Sequence, residues 1–198
     1  MARVKLARMA ERAIWLIRHG ETEWSRTGKH TGRSDIPLTA DGERQARALG
    51  PRLAAHTFGQ VLTSPLQRAR RTCELAGFGS RARVLPDLAE WDYGEYEQRL
   101  TTDVRREIPG WTIWTHPVPG GETLDGLALR ARRVLAEIEA AEGDAILFAH
   151  GHLLRVLAMC WIGLAPGAGG LFAFGPARAA VLGYETERRV VSQWNVAP

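Results

Sequence analysis

The 198-residue chain is poor in cysteine. It has two, Cys73 and Cys160, far apart and without metal-ligand spacing. They read as reduced, structural residues, which points to the cytoplasm. No apolar run approaches the roughly 20 residues of a membrane span. The leader Arg3-Val4-Lys5-Leu6-Ala7-Arg8 lacks the uninterrupted apolar stretch of a signal peptide. Residues 1–12 therefore read as a flexible basic extension, and 13–198 as one domain. There is no repeat, no low-complexity tract and no linker. There is also no block of one charge: 26 basic against 22 acidic residues leave a scattered +4. Such a balance suits a small anionic substrate at least as well as nucleic acid, and neither nucleic acid nor membrane is expected as a partner. No set of histidine, cysteine or carboxylate has the spacing of a metal site, so no metal and no other cofactor is expected.

What the chain does have is a series of short apolar runs: Ile14–Ile17, Gln60–Thr63, Arg83–Pro86 and Ala145–Ala149. Their length and density fit buried parallel strands. Helical patterns lie between them. One runs from Thr39 to Ala55, where Gly50-Pro51 should kink or shorten it. A second opens at Ser64-Pro65-Leu66-Gln67, with serine as N-cap, proline at the first helical position and glutamine closing a capping box. A third, Thr123 to Ala141, keeps Leu124, Leu127, Ala131, Leu135 and Ile138 on one face. A fourth, Gly151 to Leu164, follows the last buried run directly. Ala180–Tyr184 and Val190–Trp194 read as a hairpin turning at Glu185–Arg188. Alternating strands and helices predict a three-layer α/β/α sandwich, a mostly parallel sheet with a C-terminal hairpin. The stretch from Trp91 to Gly121 has little periodicity and holds Trp91, Trp111 and Trp114. An insertion of that kind covers a site.

The strand ends carry the chemistry. The first run ends in Arg18-His19-Gly20, the second at Ser64 before a helix containing Arg68, and the last in His150-Gly151-His152. In a parallel sheet all carboxyl ends lie on one edge, so two arginines and two histidines should meet there. Helix N-termini add N–H groups and a positive dipole end. The set fits a phosphate, whose oxygens match forked arginine pairs. A neutral imidazole can carry a phosphoryl group, with arginines stabilising the equatorial oxygens in in-line transfer. The leaving alcohol also needs an acid, and Glu90, Asp92, Glu95 and Glu97 are four candidates that the pattern does not separate. His30, His56, His116 and His152 read as structural or peripheral, and Glu21 and Glu23 as ordinary loop or helix-start carboxylates. The tryptophans read as core and lid packing, with Trp114 a candidate pocket wall.

RHGETEW, HTGRSDIPLTADGERQA, SPLQRARRT, LAEWDYGEYE and FAHGHLLR, in that order, resemble the histidine phosphatase superfamily, also called phosphoglycerate mutase-like. The resemblance runs from about Ile14 to the hairpin. It implies that His19 is the phosphorylated nucleophile, that Arg18 and Arg68 hold the phosphate, that His150 supports the transition state and that Glu90 is the proton donor. Ser25, Thr31 and Gly32 match further phosphate-pocket positions. Ser25 stands where many members have asparagine; its hydroxyl still hydrogen-bonds but reaches less far. Gln98 stands where glycine is common, so the loop there should turn differently. AEWDYGEYE with WTHPVPGGET is most similar to the acid-phosphatase and sugar-bisphosphatase branch. The function implied is a metal-independent phosphomonoesterase with an acid-to-neutral pH preference, acting on a small phosphorylated metabolite. The alternatives are a phosphoglycerate mutase, for which Arg105-Arg106 speaks, and a catalytically inactive phosphate-binding module. The long insertion of cofactor-dependent mutases is absent between Glu90 and Gly121. Intact His19, Arg18, Arg68, Glu90 and His150 oppose the inactive module.

Overall fold

A computed structural model describes residues 12–197; of the expected N-terminal extension all but Arg12 lies outside the described residues. Six strands form one sheet in the order β3-β2-β4-β1-β5-β6. Strands β1 (Ile14–Arg18), β2 (Phe58–Thr63), β3 (Arg83–Val84) and β4 (Asp144–Ala149) run parallel. β5 (Ala179–Glu185) and β6 (Arg188–Val196) close one side as an antiparallel hairpin, β5 pairing with β1. This is the expected sandwich. β1 sits in the interior of the sheet and is buried on both faces, which is why its run is continuously apolar rather than alternating. Ile14 and Leu16 point into one core, Trp15 and Ile17 into the other.

The first core lies under α5 (Leu124–Ala140) and α6 (Gly151–Ile162), the second under α2 (Ala40–Leu53) and α3 (Gln67–Leu75). Thr39 caps α2 by accepting from the Gly42 N–H at 3.0 Å, and Thr123 caps α5 from Gly126 at 3.0 Å. α6 ends at Gly163, whose φ of 77° makes the left-handed stop. Two short helices, α1 (Glu23–Thr27) and α4 (Thr101–Glu107), complete the chain.

Three expectations are corrected in detail. α2 continues through Pro51 to Leu53, and the Ala54 N–H beyond the proline still bonds Gly50 O at 2.9 Å, keeping the last turn closed. The third strand shrinks to Arg83–Val84, since Pro86 has no N–H for the ladder and opens a 3-10 turn instead. Ser64 is not the N-cap of α3. The helix starts two residues later behind Leu66, which makes no side-chain cap, and the Ser64 hydroxyl is used elsewhere. In the Trp91–Gly121 stretch the tryptophans pack in the core as expected: Trp91 and Trp111 are fully buried in the first core.

Candidate active site

The ends of β1, β2 and β4 meet, as parallel topology requires. His19 directly follows β1 and its backbone N–H donates to Ala149 O on β4 at 3.0 Å. The rings of His19 and His150 are 5.2 Å apart. The loop after His19 is clamped tightly. Gly20 N–H donates to Thr72 Oγ1 on α3 at 3.0 Å, and a Cβ on Gly20 would stand 2.4 Å from Gly42 O. No side chain larger than hydrogen fits there.

His19 is 4% exposed, and its Nδ1 lies 2.7 Å from Gly20 O. A carbonyl oxygen only accepts, so Nδ1 carries the hydrogen and Nε2 of the neutral ring keeps its lone pair. Burial, then the charges of Arg68 and Arg18, push the His19 pKa well below 6.5. The imidazole is therefore neutral at physiological pH. His150 is wholly buried, and burial, then the charges of Arg68, His19 and Arg18, push its pKa well below 6.5. Its Nε2 is 2.7 Å from Ser64 Oγ, while its Nδ1 has no partner.

The two arginines do unlike work. Arg18 donates from Nη1 to Phe174 O and lines the cavity. Arg68, fully buried, donates to Ser34 O (2.8 Å), Gly32 O (3.0 Å) and Thr31 O (3.1 Å). It thereby pins the loop between α1 and α2. The Nε of each arginine is buried and unpartnered, as is His150 Nδ1. Buried polar atoms are rarely left unpaired, and three of them on residues around one strand edge point to a ligand rich in acceptors.

Glu90 is 8% exposed and sits against the N-terminus of α6. Its Oε1 accepts from Trp91 N and Leu153 N, both at 2.9 Å, and Oε2 from His152 N at 3.1 Å. Arg130 on α5 braces the same segment from outside the cavity, donating to Asp87 O and Ala89 O. Of the other three acidic candidates, Glu97 accepts from the N–H groups of Gly32 and Ser34, and Asp92 pairs with Arg33. Glu95 is absent from the cavity wall, as are both of these.

The cavity, about 410 Å³, is lined by Arg18, His19, Ser25, Thr31 and Glu90 among the residues singled out in the sequence. Arg68, His150 and Gly32 are buried outside its lining. Two of the lining residues are already engaged. Ser25 Oγ accepts from Thr22 N at 2.9 Å in the capping box of α1, and Thr31 Oγ1 donates to Lys29 O at 3.1 Å. Gly32 is required for space: a Cβ would stand 2.5 Å from Trp91 O. Its N–H is taken by Glu97.

Several wall residues carried no signal by pattern. His152 and His30 both line the cavity, against the expectation that they are peripheral. Tyr93 OH is 2.7 Å from His152 Nδ1. Burial raises the Tyr93 pKa well above 10 and pushes that of His152 well below 6.5, so the phenol donates and the ring accepts. His152 Nε2 then carries the ring hydrogen. Trp114 lines the cavity as expected, packed against Gly169 and Gly170 and stacked on the Arg155 guanidinium at 4.6 Å. Among the described residues no three His, Cys, Asp or Glu side chains could jointly hold a metal ion. Both cysteines are free. No helix among the described residues is long and apolar enough to cross a membrane.

The chain is similar to known phosphatases and mutases. The chain is 37% identical to an acid phosphatase of Mycobacterium tuberculosis over 87% of its length and 86% of that protein. It is 36% identical to sedoheptulose 1,7-bisphosphatase of Saccharomyces cerevisiae, covering 75% and 67% of the two chains. A probable phosphoglycerate mutase of Klebsiella pneumoniae is 35% identical over 76% and 75%. Among solved structures, the product of a Mycobacterium tuberculosis open reading frame superposes with a TM-score of 0.90 at 34% identity, covering 94% of this chain and 98% of that one. A mycobacterial glucosyl-3-phosphoglycerate phosphatase, solved with VO3, superposes at 0.85 with 26% identity, covering 94% and 100%. Residues 14–197 match the histidine phosphatase superfamily (branch 1), and with relatives that are phosphatases or mutases on either side of it, the chain belongs to that superfamily.

Proposed function

We propose that the chain is a metal-independent phosphomonoesterase that works through a phosphohistidine at His19. The observation that carries this reading is the tautomer of His19: Nδ1–H is spent on Gly20 O, so the lone pair sits on Nε2 of a neutral ring beside Arg18 and Arg68. Nε2 attacks phosphorus, a P–N bond forms, and the bond to the ester oxygen breaks in line. Arg18 and Arg68 supply charge to the equatorial oxygens through the Nε–H groups that have no protein partner. Ser64 accepts from Leu66 N–H at 3.2 Å, which leaves its own hydrogen for His150 Nε2. His150 Nδ1–H is then a further donor to the phosphoryl group. Ser25 and Thr31 act at the cavity wall, and Gly32 lets the loop pass close enough for Arg68 to hold it.

Glu90 is the proton donor in this reading. Oε2 accepts one backbone N–H and Oε1 accepts two, so Oε2 is the oxygen with room for the proton. The proton passes to the leaving oxygen, and the carboxylate then takes one from the water that cleaves the P–N bond. An acid-to-neutral preference follows. His19 stays neutral below pH 6.5 because its own pKa is held well under that value.

Hydrolysis is favoured over transfer between hydroxyls because the span from Glu90 to Gly121 is short and much of it is in the core. Release of inorganic phosphate from a panel of phosphomonoesters, with and without prolonged chelator treatment, tests the reading. Chelator-resistant release supports it; loss restored by magnesium or zinc counts against it. Efficient conversion of 3-phosphoglycerate to 2-phosphoglycerate in the presence of 2,3-bisphosphoglycerate would promote the mutase.

A further inference from the structure

The carboxyl of Glu90 is fixed by the backbone N–H groups of Trp91, His152 and Leu153. Its main chain has no regular structure to hold it, since residues 89–93 belong to no helix or strand. The support comes from α5. Arg130 there uses all five of its N–H donors. Those of Nη1 reach Asp87 O at 2.6 Å and Ala89 O at 2.9 Å, and one of Nη2 reaches Glu90 O at 3.3 Å. The remaining two, from Nε and Nη2, form a forked pair with the Glu122 carboxylate at 2.7 and 2.8 Å.

Glu122 extends the hold past Glu90. Its N–H donates to Asp92 O at 3.0 Å, and its carbonyl accepts from Trp91 Nε1 at 2.7 Å. The ion pair therefore grips residues 87–92 on both sides of Glu90. α5 is itself anchored by the buried Leu127, Ala128, Ala131 and Val134, so the grip ties Glu90 to the core. The Arg130 and Glu122 side chains are 14% and 20% exposed, and neither lines the cavity. Arg133, three residues on, is the contrast: 52% exposed, it pairs with the Asp87 carboxylate and not with the main chain. His19 and Arg18 have a separate anchorage, on β4 and on Phe174 O. A shift of residues 87–92 would thus move the acid and leave the nucleophile in place. Proton transfer needs hydrogen-bond contact with the leaving oxygen, and a misplacement of about 1 Å is enough to cost about 10²-fold.

We propose that Arg130, clamped to Glu122, is a positioning residue for proton transfer: it sets where the Glu90 carboxyl meets the leaving oxygen. The proposal rests on the reading of Glu90 as proton donor. Arg130 acts from outside the cavity, through three carbonyls of the Glu90 segment, and touches no reacting atom. Its loss should therefore be felt most by esters whose leaving oxygen needs the proton.

The test is the single-turnover rate of phosphorylation by two esters: the fastest alkyl phosphate of a phosphomonoester panel, and p-nitrophenyl phosphate, whose phenolate leaves with little help. The variants are Arg130→Met, Glu122→Gln, Glu90→Gln, the double Glu90→Gln/Arg130→Met, and Arg133→Met as the control. Arg130→Met should lower the alkyl-to-aryl rate ratio by about tenfold or more, and Glu122→Gln should lower it by a smaller factor. Arg133→Met should leave the ratio where it was. In the double variant the ratio should match that of Glu90→Gln alone, since a positioning residue adds nothing once the acid is gone. A merely stabilising ion pair would slow both esters alike. An unchanged ratio in Arg130→Met, an equal fall in Arg133→Met, or a further fall in the double variant would overturn the proposal. Should Arg130→Met fail to fold by circular dichroism, Glu122→Gln decides on the same criterion. If Glu90→Gln lowers the ratio and Arg130→Met does not, the acid assignment stands and this proposal alone falls. If Glu90→Gln leaves the ratio unchanged, or the wild type accepts no alkyl ester, Glu90 is not the acid and both fall.

Discussion

Two regions build the cavity by different means. The inner wall comes from the ends of β1, β2 and β4, with Ser64 directly after β2 and Arg68 in the first turn of α3. There the side chains are fixed by a ladder of main-chain bonds: His19 N–H to Ala149 O, and Ser64 N–H to Phe148 O at 2.9 Å. The outer wall comes from residues 91–121, which contain one short helix, α4, and a 3-10 turn. There, position is set by rings packed on rings, with Trp91, Trp111 and Tyr96 buried and Trp114 partly so. The first region is tied to the proposed chemistry, because an error there moves His19, the nucleophile of that reading. The second can change its surface residues while its tryptophans keep it in place, which makes it the natural seat of specificity.

The largest effect expected from this contrast is on acid stability, and it belongs mainly to the inner wall. His19, His150 and His152 all have pKa values held well below 6.5 in the fold, burial being the first cause for each. Unfolded, each takes a proton near pH 6.5. The unfolded chain therefore binds more protons between the folded pKa values and 6.5, and stability falls as pH drops through that window. The slope reaches about 1.4 kcal/mol per pH unit per histidine, or about 4 for the three. Urea midpoints at pH 6.5 and 5.5 check it; equal midpoints would contradict the assignment of neutral, buried rings.

Arg68→Ala comes next. It strips three loop carbonyls of their donor and should cost about 3 kcal/mol or more in stability, along with activity. Arg105→Ala removes one bond, to Trp111 O, and should cost about 1 kcal/mol or less. Thermal unfolding of the two variants side by side shows whether the walls differ as described; equal losses would erase the distinction.

Glu90→Gln keeps the shape and removes the proton. In single-turnover measurements, phosphorylation by an alkyl phosphate should slow by about 10²-fold or more, and by p-nitrophenyl phosphate far less, since its phenolate leaves with little help. Equal slowing for both would take Glu90 out of the acid role.

How much of this could be read in the sequence follows the same division. The inner wall was legible because strand ends in a parallel sheet are ordered by topology: Arg18-His19, Arg68 and His150 come together without any knowledge of loops. The capping box at Ser64 misled, because the Ser64 hydroxyl bonds the Leu66 N–H two residues on and faces His150 instead of capping α3. His30 and His152 were illegible as wall residues, since their place depends on how a non-periodic segment folds over them. Gln98 lies between. Its occurrence in place of glycine predicts a different turn, yet the residue holds φ = 67°, the conformation glycine favours, while its N–H donates to His30 O at 2.9 Å. The smallest expected effect follows: Gln98→Gly should stabilise the chain by up to about 1 kcal/mol by relieving that strain. A lower melting temperature would contradict it.

The central claim is that His19 Nε2 carries the phosphoryl group. The most direct measurement is to mix the protein with a phosphomonoester, quench within one turnover in alkaline denaturant, and digest for mass spectrometry, since acid destroys phosphohistidine. A phosphate on the peptide containing His19, assigned to that residue by fragmentation and missing from His19→Ala, is the predicted result. Turnover with no phosphorylated intermediate, or a phosphate on His150 or His152 instead, would contradict the account.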